Sequence, residues 1–108
     1  MIAQFVAAKA EGNYVQLFLN SENGIKSHLK RMTIKELEIQ LREFDHIVKT
    51  HRSYLVNVSC IQKLSGNAQG YKLKIIGMST TIPVSRKMIP AFEDQLKQIS
   101  SLPFTTNS

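Results

Sequence analysis

Between Ile47 and Phe92 the chain contains no aspartate and no glutamate. A stretch of that length without negative charge keeps a positive potential that no neighbouring carboxylate cancels, which suits a polyanionic partner. It carries Lys49, Arg52, Lys63, Lys72, Lys74, Arg86 and Lys87. Residues 1–46 balance six basic side chains against six acidic ones, so the formal net charge of +6 comes from the second half. Cysteine is nearly absent as well. Cys60 stands alone, which excludes an intrachain disulfide and fits a reducing compartment. No apolar run approaches the roughly 20 residues of a membrane span. The N-terminus lacks the basic and apolar regions of a signal peptide, so a cytoplasmic chain without membrane contact is expected. Aromatics number only eight, too few for a broad stacking platform of the kind that single-stranded nucleic acid uses.

Catalytic and metal-binding patterns are missing too. His28, His46 and His51 show no metal-ligand spacing, and one cysteine is all that could assist them. Cys60 sits in the apolar run Val58-Ser59-Cys60-Ile61, where a free cysteine is ordinarily a small buried hydrophobe and not a nucleophile. Glu36, Glu38 and Glu43, like Glu93 and Asp94, fit solvated helix faces. No phosphate-cradling glycine pattern occurs. The expectation is a protein with no catalytic residues, metal or cofactor.

What is present is a single domain over residues 1–99 followed by a loose polar tail, 100–108. At 108 residues it is long enough to bury roughly 60–70% of the surface its unfolded chain exposes. Period-two patterns dominate. Tyr14-Val15-Gln16-Leu17-Phe18-Leu19 leads into a turn signal ending in Asn23-Gly24. Ile25, Ser27 and Leu29 then alternate with Lys26, His28 and Lys30, giving a strand with one wet face. Tyr71, Leu73 and Ile75 alternate with Lys72 and Lys74 in the same way. Ser53–Val58 and Thr80–Val84 are further strands, and residues 66–70 form a turn. Thr33-Ile34-Lys35-Glu36 is a capping box opening a helix over about 33–43, with Ile34, Leu37, Leu41 and Phe44 as its apolar stripe. Ile89, Phe92, Leu96 and Ile99 mark a second helix, with Pro90 in its first turn and Glu93 and Asp94 placed to suit its dipole. The fold class is therefore mostly β with two short helices and antiparallel sheets.

Three segments could meet an anion. In His51-Arg52-Ser53-Tyr54-Leu55-Val56-Asn57, Tyr54 and Val56 face the core, with Val58 beyond them, while Ser53, Leu55 and Asn57 face elsewhere. Asn57 is read as a local cap or turn hydrogen bond. Arg52 lies at the strand's start, where a loop projects it; it is either a solvated charge or a fork for guanine O6 and N7. In Pro83-Val84-Ser85-Arg86-Lys87 a strand hands over to a helix, giving either a capped helix with two solvated cations or an anion site beside free amides. Gly12-Asn13 is a turn whose Asn13 either only turns the chain or reaches a base edge.

The run Ala10-Glu11-Gly12-Asn13-Tyr14-Val15, a central helix, the heptapeptide 51–57 and Ile82-Pro83-Val84-Ser85-Arg86, in that order and spacing, resemble the LytTR-type DNA-binding domain of bacterial response regulators over about residues 2–98. The resemblance implies an elongated arrangement of three small antiparallel sheets. It also implies binding to double-stranded promoter DNA in pairs on direct repeats, with loops in successive major grooves and a bent duplex. It places base reading at Asn13, Arg52 and Arg86, and phosphate contact or loop positioning at His51, Ser53, Ser85 and Lys87. Exposed strand lysines, chiefly Lys49, Lys72 and Lys74 together with Lys87, would fix register on phosphates. Met88 departs from the aromatic residue of many relatives, and Val6-Ala7-Ala8-Lys9 replaces a more acidic approach. Family members usually carry a receiver or sensor domain upstream. A monomer that pairs only on DNA is expected. Two rival classes are an RNA- or single-strand-binding β-module and a protein-interaction module with an incidental basic face.

Overall fold

Three strands, a helix, five more strands and a second helix follow one another in this computed structural model, which describes residues 5–44 and 46–98. The tail at 100–108 and Ile99 of the second helix stripe lie outside the described residues. β1 (Phe5–Glu11), β2 (Tyr14–Ser21) and β3 (Gly24–Arg31) form a meander, followed by α1 (Ile34–Gln40), β4 (Ile47–His51) and β5 (Tyr54–Asn57). A 3₁₀ turn, Val58–Cys60, leads into β6 (Ile61–Asn67), β7 (Gly70–Ile75) and β8 (Thr81–Ser85). A second 3₁₀ turn, Arg86–Met88, then opens α2 (Ile89–Gln98).

All strand pairs are antiparallel. They build a five-stranded sheet in the order β3-β2-β1-β5-β4 and a three-stranded sheet β6-β7-β8, so two sheets stand where the resemblance implied three. The described chain measures 38 × 30 × 26 Å.

The five-stranded sheet is covered on both faces. On one side Phe5, Ala8, Val15 and Leu55 pack with Ile34 and Leu37 of α1. On the other, Val6, Ala7, Val48 and Val56 pack with Leu73, Ile75, Ile82 and Val84 of the smaller sheet and with Ile89 and Phe92 of α2. Phe92, Leu73, Ile75 and Ile82 are each at most 2% exposed, and burial of such side chains contributes about 1.5–3 kcal/mol apiece. A register irregularity at Val6 lets it share Ala7's face.

This double cover corrects the reading of the heptapeptide. Leu55 is as buried as Val56, because β5 is an interior strand with α1 on its other face. Asn57 is buried too, and caps the following 3₁₀ turn as expected. β3 departs from the expectation of one wet face: Lys26, His28 and Lys30 pair with Leu19, Leu17 and Val15, yet Ser27 and Leu29 on the other face are exposed too, and of this edge strand only Ile25 is packed against a core. The capping box forms in full, the Thr33 hydroxyl accepting from the Glu36 amide and Glu36 accepting from the Thr33 amide. α1 nevertheless stops at Gln40, because the next amides bond three residues back: Arg42 to Ile39 and Phe44 to Leu41. Phe44 is left exposed. Glu93 lies beyond the first turn of α2, where the dipole is weak; its carboxylate accepts a hydrogen bond from the Tyr71 hydroxyl at 2.6 Å instead.

Candidate nucleic-acid interface

Two hairpin turns stand side by side at one end of the five-stranded sheet. Lys9 pairs with Tyr54, and the Ala10 amide donates to the Ser53 carbonyl at 2.8 Å. Continuing that register by one residue brings Glu11 beside Arg52, with the Gly12–Asn13 turn just beyond. Gly12 has a φ of 61° and Asn13 has no positive φ, the pattern of a type II′ hairpin, which needs glycine at its first position. Asn13 and Arg52 are both exposed at these tips. Glu11, the carboxylate at this end, is engaged by Lys9 at 3.5 Å.

The Arg52 turn is held from within. The Ser53 amide donates to His51 Nδ1 at 3.2 Å, which fixes the remaining imidazole proton on Nε2 when the ring is neutral. The ring packs edge-on against Tyr54, centroids 5.7 Å apart. His51 and Ser53 are half-buried, and their visible bonds shape the loop.

The third element comes from the smaller sheet. The 3₁₀ turn bearing Arg86 and Lys87 packs on β4, the strand that ends in His51. Both basic side chains are exposed. Ser85 precedes the turn without a capping hydrogen bond from its side chain, so of the two roles open to it the capping one is not taken. Arg86 Nη1 donates to Gln69 Oε1 at 3.2 Å, joining it to the β6–β7 hairpin tip.

The lysines divide. Lys72 and Lys74 project from the outer face of the three-stranded sheet, exposed. Lys63 lies directly across from Lys74, a like-charge pair that is unfavourable unless an anion lies over it. Lys49 differs from the expectation of an exposed strand-face lysine. It is half-buried and reaches Glu38 Oε1 at 3.7 Å, because its position on β4 faces α1; a phosphate would have to compete with that carboxylate. Lys63, one cation of the acid-free stretch, adjoins Lys74, and Gln69 adjoins Arg86; neither is a site candidate from sequence. Only the cross-strand register, absent from any local pattern, places them there.

Cys60 is half-buried against the larger core, and burial pushes its thiol above the usual range, partly offset by a Ser59 hydrogen bond. That is the environment of an inert thiol. Among the described residues no three His, Cys, Asp or Glu side chains cluster to hold a metal ion, and no helix is long and apolar enough to cross a membrane.

A mostly-β module with exposed Arg and Asn tips on adjoining hairpins, and exposed cations drawn from an acid-free stretch of sequence, has the form of a nucleic-acid-binding domain. The comparisons define it further. The family model of the LytTr DNA-binding domain matches residues 2–97, and the chain belongs to that family. It is 36% identical over 94 residues to the sensory transduction protein LytT of Oceanobacillus iheyensis, a match covering 85% of this chain and 37% of LytT. The chain thus spans little more than a third of that relative. Among solved structures it resembles the LytTr DNA-binding domain of a protein described as a methyl-accepting/DNA response regulator from Bacillus cereus. There the TM-score is 0.72 at 22% identity, over 87% of this chain and 82% of the other.

Proposed function

We propose that this chain binds double-stranded DNA sequence-specifically and regulates transcription in bacteria. Loops enter successive major grooves at direct-repeat sites, and two copies pair on the DNA. Asn13, Arg52 and Arg86 read bases. Lys72, Lys74 and Lys87 meet phosphates, Ser85 offers a free hydroxyl, His51 and Ser53 set the Arg52 loop, and Lys49 contributes only by leaving Glu38. An upstream receiver or sensor domain, in keeping with the LytT relative, would supply the signal.

One observation carries the reading: the Ala10–Ser53 hydrogen bond holds the exposed Asn13 and Arg52 turns side by side on a rigid sheet. Such a pair of protruding tips suits a major groove, whose edges Arg and Asn can each read with two hydrogen bonds. A single-strand binder would want exposed aromatics in succession. Among the described aromatics only Tyr14 and Phe44 are exposed, and they sit on different elements.

The test is selection from randomised duplex at near-physiological salt, followed by gel shifts with variants. Two half-sites about one helical turn apart are expected. Arg52→Ala should cost about 1–3 kcal/mol and relax preference at one base pair. Lys72→Ala should weaken all duplexes alike and flatten the salt slope by about one unit. Equal weakening of specific and random DNA by Arg52→Ala would remove it from the base readers; no enrichment at all would overturn the function.

A further inference from the structure

The tip of the β6–β7 hairpin has a built geometry that the reading above does not use. Asn67 pairs with Gly70, leaving Ala68 and Gln69 as the loop. The Gln69 amide donates to Asn67 Oδ1 at 2.9 Å, an Asx turn that fixes the backbone without the Gln69 side chain. One step before the tip, Gly66 has a φ of 104°, and a Cβ there would collide with the Gly70 carbonyl. The hairpin strands therefore close tightly under the loop. Across β7–β8, Gly70 pairs with Ser85. The next step of that register sets Gln69 opposite Arg86, where the 3.2 Å bond between their side chains extends the ladder past its end. Both residues are exposed.

The polarity of this bond decides what the pair can read. Gln69 Oε1 accepts from Arg86 Nη1, which takes up one of its two lone pairs, points the oxygen towards Arg86 and leaves both NH₂ protons to donate. The guanidinium keeps Nε and Nη2 for a ligand, the two-donor edge that matches guanine N7 and O6. We propose that Gln69 is a specificity-determining residue. It reads the base pair next to the one read by Arg86, and favours a base that presents a major-groove acceptor over cytosine, which presents the N4 donor. The proposal rests on Arg86 being a base reader.

The chemistry also predicts a switch. Glutamate at this position keeps the acceptor for Arg86 but loses the donor, leaving a second oxygen that can accept from cytosine N4. The experiment is selection from randomised duplex, followed by competition gel shifts, with the wild-type chain and with Gln69→Ala, Gln69→Glu and Arg86→Ala. Thermal unfolding of each variant serves as the folding control. Because the Asx turn uses only the backbone amide, the Gln69 variants are expected to melt with the wild type.

Gln69→Ala should lower discrimination at one base pair about 2–10-fold, the scale of a single hydrogen bond, while leaving the salt slope unchanged. Gln69→Glu should shift preference at that same pair towards cytosine, and Arg86→Ala should relax the pair beside it. If the wild type selects a motif and both Gln69 variants select the same motif with equal stringency, Gln69 is not a reader. A lowered melting temperature with an unchanged motif would make it structural only. If Arg86→Ala leaves the motif intact, or the wild type selects none, the underlying reading fails first.

Discussion

Asn57 closes the heptapeptide that points most strongly to DNA, yet its side chain is spent inside the protein. Its Nδ2 donates to the Phe5 carbonyl at 2.9 Å, across 52 residues of sequence. Its Oδ1 accepts from the Ser59 amide at 3.0 Å and from the Ser59 hydroxyl at 2.6 Å. Asn57→Ala would leave the Phe5 carbonyl buried beside a small void. An orphaned buried acceptor costs about 1–3 kcal/mol. Loss of the cap on the 3₁₀ turn adds about 0.5–2 kcal/mol, and exposed Ser59 recovers part of its loss from water. The sum is roughly 2–4 kcal/mol, a large share of the roughly 5–15 kcal/mol that holds a domain together. It corresponds to a fall in melting temperature on the order of 10–20 °C. Thermal and urea unfolding followed by circular dichroism would measure it. Asn57→Asp should be at least as destabilising near neutral pH, since it keeps the acceptor for Ser59 but sets a buried carboxylate oxygen against the Phe5 carbonyl. Below its transition, Asn57→Ala should bind duplex with the wild-type motif preference. An unchanged melting temperature together with weakened DNA binding would refute the argument and make Asn57 a DNA contact.

Thr50 is fully buried, and its hydroxyl has no hydrogen-bond partner among the described residues. Thr50→Val keeps the shape and removes the unpaired group, so the protein should gain about 1 kcal/mol and melt higher; a lower melting temperature would show that the hydroxyl is bonded in solution. The Tyr71 phenol is raised above its usual range, first by its hydrogen bond to Glu93, then by burial and the Glu93 charge. The folded protein therefore favours the protonated phenol. Its contribution is fully present below the unfolded value, about pH 10, and is lost as pH rises through the folded one. The difference in urea midpoint between wild type and Tyr71→Phe should be constant near neutrality and shrink in that alkaline window. A difference that does not change with pH would remove the linkage.

How much was legible in the sequence follows from range. The capping box at Thr33, the Gly12–Asn13 turn, the hairpin signalled by the cluster ending in Asn23-Gly24, and the alternation of Tyr71, Leu73 and Ile75 with lysines are decided within a few residues, and the structure contains them, with the second turn on Glu22 and Asn23 and Gly24 opening β3. β4 and β6 were not read as strands. Ile47-Val48-Lys49-Thr50-His51 is packed on both sides and lacks clean alternation, with a register shift between Lys49 and His51. β6 carries glycine and polar residues along an open hairpin. Lys49 looked like any other lysine of the basic stretch until α1 set Glu38 against it.

By itself the sequence determined that this is a mostly-β, disulfide-free basic domain whose excess cations fall in one acid-free stretch. Charge, turn chemistry and periodicity are local quantities, and they survive without knowledge of the fold. Tertiary structure decided which of those residues are free to meet a partner. It sandwiched β5 between two cores and so committed Leu55 and Asn57 to the interior. It set the Asn13 and Arg52 turns side by side through a bond between β1 and β5. It brought Gln69 to Arg86, and Lys63 to Lys74, through register between strands. These pairings depend on which strand lies beside which, and that is fixed only when two cores are filled at once.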